Sequence, residues 1–188
     1  MNIDCIIPAA GLSSRMGRWK LMLPYRENTI IEQSVDNALD FCGRVILVTG
    51  YRGDELDNLF AGRPDVVTVR NTDYERGMFS SIQTGTPRVE TEYFFITMGD
   101  MPEIGPDLFQ KLVDTMNRNP GIEIVRPLYK GKRGHPVLLR KSVKQTILSE
   151  PRDSEMKNVF TRHRVIDLPL DIRESFMDID TEEDYSTI

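Results

Sequence analysis

The sequence predicts a three-layer α-β-α fold around a mostly parallel, twisted sheet. Three observations lead there. Short apolar runs alternate with amphipathic stretches through most of the 188 residues. The runs are continuous rather than alternating, as strands covered on both faces are. The region 122–140 departs from this rhythm and reads as a hairpin-like, antiparallel excursion.

Ile3–Pro8 is the first buried strand, and a Gly/Ser-rich loop follows it. Thr29 and Glu32 have capping-box spacing, and behind them Ile30, Ile31, Val35, Ala38 and Leu39 keep a helical period to about Phe41. Val45–Thr49 is the next strand, ended by Gly50. A short helix over Asp54–Ala61 and a strand over Val66–Val69 come next. A helix opens at Met78–Thr84 and Pro87 terminates it. Tyr93–Met98 is an aromatic core strand. Pro106 suits a first helical turn, and Leu108, Phe109, Leu112, Val113 and Met116 supply its buried stripe. Ile122–Leu128 is a strand, 129–134 a turn, and Pro136–Leu139 a strand. Ser142 to Gln145 resembles a second capping box, and Val159–Arg162 is weakly helical. Strands at Val165–Leu168 and Phe176–Ile179 and a short helix complete the chain. With no internal repeat, low-complexity segment or linker, residues 1–188 are expected to form one domain.

Composition narrows the function. Hydrophobic residues make up 39% and charged residues 28%, as in soluble globular proteins. A formal net charge of −5 argues against a nucleic-acid partner, yet a local basic loop can still bind phosphate. Cys5 and Cys42 read as small buried hydrophobes, without disulfide or metal spacing. No signal peptide and no membrane span is legible, so a cytoplasmic protein is expected.

Parallel sheets bind ligands at the carboxyl ends of their strands, and three candidate segments fall there. In the loop after the first strand, Gly11 and Gly17 permit close backbone approach and Ser13 and Ser14 add hydroxyls. Free amides can form an anion nest, and Arg15 and Lys20 supply positive charge. The segment is neither a dinucleotide fingerprint nor a P-loop, and a flexible surface loop is the plain alternative. After the aromatic strand comes Met98-Gly99-Asp100-Met101-Pro102, where Asp100 can ligate a hard cation or simply begin a turn. Near the C-terminus Asp178 and Asp180 flank Ile179, so both carboxylates can share one face of a strand. For Asp180 helix capping competes. Asn71, Gly77, Ser80 and Ser81 border a further loop and helix start. Arg133 and His135 frame Gly134, with His135 more often structural than ligand-binding in such a setting. His163 has no supporting company.

Together these motifs resemble a known family. Gly11-Leu12-Ser13-Ser14-Arg15-Met16-Gly17 followed by Lys20 is similar to the signature loop of the molybdenum cofactor nucleotidyltransferases. Their fold is the Rossmann-like nucleotide-diphospho-sugar transferase fold. The resemblance continues in order through Asn71, Gly77 with Ser80-Ser81, Gly99-Asp100-Met101-Pro102, Gly134-His135-Pro136 and Asp178-Ile179-Asp180-Thr181. Pro8-Ala9-Ala10-Gly11 resembles the cytidylyltransferase branch, since guanylyltransferases usually carry Leu-Ala-Gly-Gly there. Glu182 departs from a frequent proline.

The resemblance implies Mg2+-dependent transfer of CMP from CTP to a molybdopterin carrying molybdenum, with pyrophosphate released. A molybdoenzyme would receive the product. Asp100, Asp178 and Asp180 would hold the metal, and Arg15 and Lys20 would stabilise the leaving pyrophosphate. Pro8, Ala9, Ala10, Gly11, Leu12, Ser13 and Ser14, with Asn71, Gly77 and Ser81, would contact the nucleotide. Arg133 and His135 would face the acceptor. Competing readings are a guanylyltransferase or sugar-phosphate nucleotidyltransferase, a non-catalytic nucleotide- or cofactor-binding accessory protein, and a dinucleotide-dependent oxidoreductase. The last lacks G-x-G-x-x-G.

Overall fold

In the computed structural model of the chain, residues 2–12, 18–171, 179 and 181–186 are described. Strand β1 (Asp4–Ala9) is the spine of the sheet, buried at all six positions. It pairs in parallel with β4 (Arg44–Thr49) on one side and β6 (Tyr93–Ile96) on the other. A short hairpin of β2 (Pro24–Tyr25) and β3 (Asn28–Thr29) lies apart from this sheet. Beyond β4 lies β5 (Val66–Arg70), also parallel.

Beyond β6 the direction reverses. Strand β9 (Val137–Arg140) runs antiparallel between β6 and β7 (Ile124–Tyr129), and β10 (Val165–Pro169) is parallel to β7. The order is β10-β7-β9-β6-β1-β4-β5, with β8 (Lys132–Arg133) folded back on β7. The expected antiparallel excursion is therefore β9 and β8.

The period of two in each strand divides the core. Cys5, Ile7, Val45, Leu47 and Phe95 pack beneath α1 (Ile30–Leu39) and α4 (Pro106–Arg118). Ile6, Ile46, Val48, Phe94 and Ile96 pack beneath α3 (Met78–Gly85), α5 (Lys144–Ser149) and α6 (Met156–Phe160). A further helix, α2 (Gly53–Leu59), follows β4. Cys5 and Cys42 are free and buried. Among the described residues no helix is long and apolar enough to cross a membrane.

The Thr29–Glu32 capping box forms reciprocally, as its spacing dictates. The one expected at Ser142–Gln145 does not. Lys141–Val143 is a 3-10 turn running straight into α5. Because Val143 is already helical there is no extended cap residue, and Ser142 donates instead to Glu123 at 3.3 Å. The expected turn at 129–134 is confined to Lys130 and Gly131, both at positive φ, before β8 pairs back. Helix α6 lies earlier than Val159–Arg162 and ends at Phe160. Of the strand expected at Phe176–Ile179, only Ile179 is among the described residues.

At the amino end of β1, Asp4 is 1% exposed yet charged. Burial alone would raise its pKa. The Arg44 fork at 2.9 and 3.1 Å and the amides of Glu90 and Thr91 outweigh burial and hold it below the ordinary carboxylate value. A depressed native pKa contributes stability that is present above the unfolded value of about 3.9 and is lost as pH falls below it. Replacing Asp4 by Ala should cost about 2–4 kcal/mol at neutral pH, because Arg44 and two amides lose their acceptor. The gap between wild type and variant should narrow as pH falls below the ordinary carboxylate range in denaturant titrations; equal stability at pH 7 would refute the assignment.

Candidate active site

Strand register brings the candidate loops together. Ala9 lies opposite Thr49, and Ile6 opposite Ile96, so β1, β4 and β6 release their chains at one edge. Ala10 accepts a hydrogen bond from the Tyr51 amide at 3.2 Å. Only glycine fits at position 50: a Cβ there would lie 2.6 Å from Ala10 Cβ and 2.9 Å from Tyr74 Cβ. Gly11 and Leu12 are exposed at the rim. Ser13, Ser14, Arg15, Met16 and Gly17 lie outside the described residues.

Trp19 is the cap residue of a 3-10 turn that Lys20 opens. Its ammonium lies 2.5 Å from Asp100 Oδ2, with both side chains 13% exposed. Asp100 follows β6, where Gly99 lets the backbone pass close to Ile31; a Cβ would come within 2.7 Å of that side chain. Asp100 Oδ1 is buried and has no hydrogen-bond partner among the described residues. Lys20 is thus not a solvated loop cation, and Asp100, although it lies in a turn, directs its carboxylate to Lys20.

The C-terminal segment returns to this point. Ile179 donates its amide to the Asp100 carbonyl at 3.2 Å and packs on Leu23, Tyr25 and Ile30. Asp178 and Asp180 lie outside the described residues. Helix capping, the competing role for Asp180, is filled by Thr181: its hydroxyl accepts from the Asp184 amide at 3.1 Å, and Asp184 accepts from the Thr181 amide at 2.8 Å. The following helix, α7 (Glu182–Ser186), is tied down by Tyr185, which donates to the Pro24 carbonyl at 2.7 Å. Arg18 stacks on the Tyr185 ring at 5.3 Å.

Asn71 and Ser81 lie together at the start of α3. Each is 2% exposed. The Asn71 amide donates to Ser80 and Ser81 at 2.9 and 3.0 Å, and its oxygen accepts from the Asp73 amide. Both residues brace the start of α3 from below. Gly77, at φ 98°, supplies the left-handed step into that helix, which no β-carbon-bearing residue adopts cheaply. Met78 is exposed just beyond it.

Arg133 and His135 line a neighbouring cavity of about 190 Å³ with Met78, Ile96, Arg126 and Phe160. Burial pushes the His135 imidazole pKa down, against the opposing pull of the Ile96 carbonyl and Asp100. Asp167 pairs with both Arg126 and Arg133, and the Arg126 guanidinium lies 4.6 Å above the Phe160 ring. Sequence reasoning overlooked Arg126, Asp167 and Phe160, because their strand and helix read only as core. His163 is structural, bonded to Thr146 at 2.8 Å.

Residues 5–166 match the family model described as the MobA-like NTP transferase domain. The chain belongs to this family. As a member of the MobA-like NTP transferase family it is a nucleotidyltransferase. It is 42% identical to the molybdenum cofactor cytidylyltransferase of Escherichia coli (strain K12), over 98% of this chain and 94% of that protein. The probable molybdenum cofactor guanylyltransferase of Natranaerobius thermophilus is 30% identical, over 69% of this chain and 62% of its own length. Among solved structures, Rv0371c from Mycobacterium tuberculosis H37Rv superposes with a TM-score of 0.81 at 26% identity, over 100% of this chain and 97% of that one. A manganese complex of the same protein superposes at 0.76 and 25%, over 100% and 97%. The fold is that of these solved structures.

Proposed function

We propose that this nucleotidyltransferase transfers CMP from CTP to a molybdopterin carrying molybdenum, with magnesium as its metal. The observation that carries the reading is the Asp100 carboxylate at the sheet's carboxyl edge, with one oxygen on Lys20 and the other buried without a partner among the described residues. A buried anionic oxygen without a donor fits a hard cation. Asp100, with Asp178 and Asp180 on either side of Ile179, would hold it. When bound, magnesium supplies charge neutralisation for the nucleotide phosphates.

This chain's own groups then do the positioning. The terminal phosphate oxygen of the acceptor forms a bond to the α-phosphorus, the bond to the β-phosphate oxygen breaks, and pyrophosphate leaves. Lys20 and Arg15, with the amides of Gly11 through Ser14, stabilise charge on that leaving group. The backbone of Pro8, Ala9, Ala10, Gly11 and Leu12 reads the base, and Gly77 opens the helix start beside it. Asn71 and Ser81 act from below as braces. Neutral His135, with Arg133, faces the acceptor. Free buried Cys5 and Cys42 suit a reducing cytosol. A molybdoenzyme is the natural recipient of the product.

The preference for CTP rests on Pro8-Ala9-Ala10 and on the name of the Escherichia coli relative. The guanylyltransferase among the relatives keeps GTP as the second reading. Thermal shifts with magnesium and each of CTP, GTP, ATP and UTP separate them. Ligand at about 100 times its Kd adds about 2.7 kcal/mol, roughly 5–10 °C for a chain of this size. CTP should give the largest shift, and a larger one with GTP would overturn the assignment.

A further inference from the structure

Three residues beside the site have no part in the scheme above. Trp19, the only tryptophan of the chain, is 6% exposed and immediately precedes Lys20. The Tyr51 ring meets it edge-on, with centroids 6.2 Å apart. The Arg52 guanidinium lies 4.8 Å above the indole. Tyr51 also donates its amide to Ala10, so the cluster spans the loops that leave β1 and β4.

Arg52 pays for its place in backbone strain. It sits at φ 48°, ψ 30°, a left-handed conformation that a β-carbon disfavours and glycine adopts freely. Strain of this kind persists where the surroundings over-determine it, and it clusters at functional sites. Glu55 grips the same guanidinium at 2.5 and 2.7 Å, which aims it over the ring. The indole is therefore fixed by a cation above it and a ring at its edge, and its backbone is the root from which Lys20 reaches Asp100.

We infer that Trp19 and Arg52 are positioning residues for the transfer: they lock the root of Lys20 so that its ammonium stays on Asp100 and in line with the phosphates. The inference rests on the charge role proposed for Lys20. A displacement of 1 Å in such a group is enough to cost about 10²-fold in rate. A lysine side chain is a flexible four-carbon stem, so where its backbone is held sets which positions its ammonium can reach.

Two readouts test this in the full-length enzyme. The first needs no turnover: the rate at which acetic anhydride labels Lys20, followed by peptide mass spectrometry. The second is kcat and KM from pyrophosphate release, with melting temperature alongside. For Arg52→Gly the melting temperature should stay at wild type or rise by up to about 4 °C as the strain is relieved. Lys20 labelling should rise at least about threefold, and kcat should fall about tenfold or more with KM for CTP within about twofold. Arg52→Lys, which keeps a cation over the ring, should restore most of both. Trp19→Phe, which retains an aromatic ring, should give a smaller loss in the same direction. In a Lys20→Ala background Arg52→Gly should cost nothing further, since it acts through Lys20.

Unchanged Lys20 labelling or an unchanged kcat in Arg52→Gly would overturn the inference. So would additivity with Lys20→Ala, or a fall in melting temperature of more than about 5 °C, which would make Arg52 a structural brace. Failure of the wider reading looks different: wild-type enzyme without turnover, or Lys20→Ala with normal kcat, refutes the proposed chemistry while the labelling rates still decide whether Trp19 and Arg52 hold Lys20.

Discussion

Asp100→Ala is expected to lower turnover by about 10³-fold or more while leaving the fold intact. The carboxylate has one oxygen on Lys20 at 2.5 Å and one buried oxygen without a donor among the described residues. Such an oxygen contributes nothing to stability, because a buried anion without a partner is a cost. Its removal relieves one penalty but takes the carboxylate from Lys20, whose side chain is only 13% exposed, so a loss of about 1–3 kcal/mol is expected, small enough for the fold to persist. Activity has no such compensation. If the carboxylate anchors the cation that neutralises the phosphates, its loss removes several kcal/mol of transition-state stabilisation, and about 4 kcal/mol is about 10³-fold. Asp100→Asn preserves shape and should fail almost as completely, which separates charge from packing. Pyrophosphate release at saturating magnesium is the measurement. Near-normal activity in either variant would sink the metal assignment.

Lys20→Met should cost about 10²–10³-fold, chiefly in kcat. Methionine fills much the same space without charge, so the 3-10 turn at Lys20–Met22 and the packing of Leu21 should persist. A preorganised cation aimed at a leaving group acts mainly in the transition state, where negative charge on the pyrophosphate is greatest. KM for CTP should then change far less than kcat, because under the proposed scheme the ground-state phosphates would keep the loop amides and Arg15. Arginine should rescue poorly: its planar fork does not reproduce a compact ammonium in a site this enclosed. A variant that raises KM alone would show Lys20 to be a ground-state binder instead.

The parallel core of the fold was legible because its signals are local. Continuous apolar runs gave β1, β4, β5 and β6, and Thr29 with Glu32 marked the start of α1. Short or context-dependent features were not legible. Strands β2, β3 and β8 are two residues each, below any period. Ser142 has the residues of a capping box, but tertiary structure made its neighbour helical and gave its hydroxyl to Glu123. At the site, Asp100 and Lys20 were readable from their positions after strands, whereas their 2.5 Å contact was not. Motif order placed Asn71 and Ser81 near each other but says nothing of depth; the structure adds that they are buried and hydrogen-bonded to one another. The cluster of Trp19, Tyr51 and Arg52 was invisible, since an indole and a guanidinium 32 and more residues apart carry no shared spacing. A left-handed arginine just before a helix leaves no mark in sequence at all.

The central claim is that one site joins CTP to a molybdopterin acceptor. Its most direct measurement is pyrophosphate release with magnesium and each of CTP, GTP, ATP and UTP, with and without the molybdenum-loaded pterin. Release that requires both CTP and the pterin, with a cytidine dinucleotide form of the pterin as coproduct, is the predicted result. Release with another nucleotide in preference to CTP, or none with the pterin present, would contradict it.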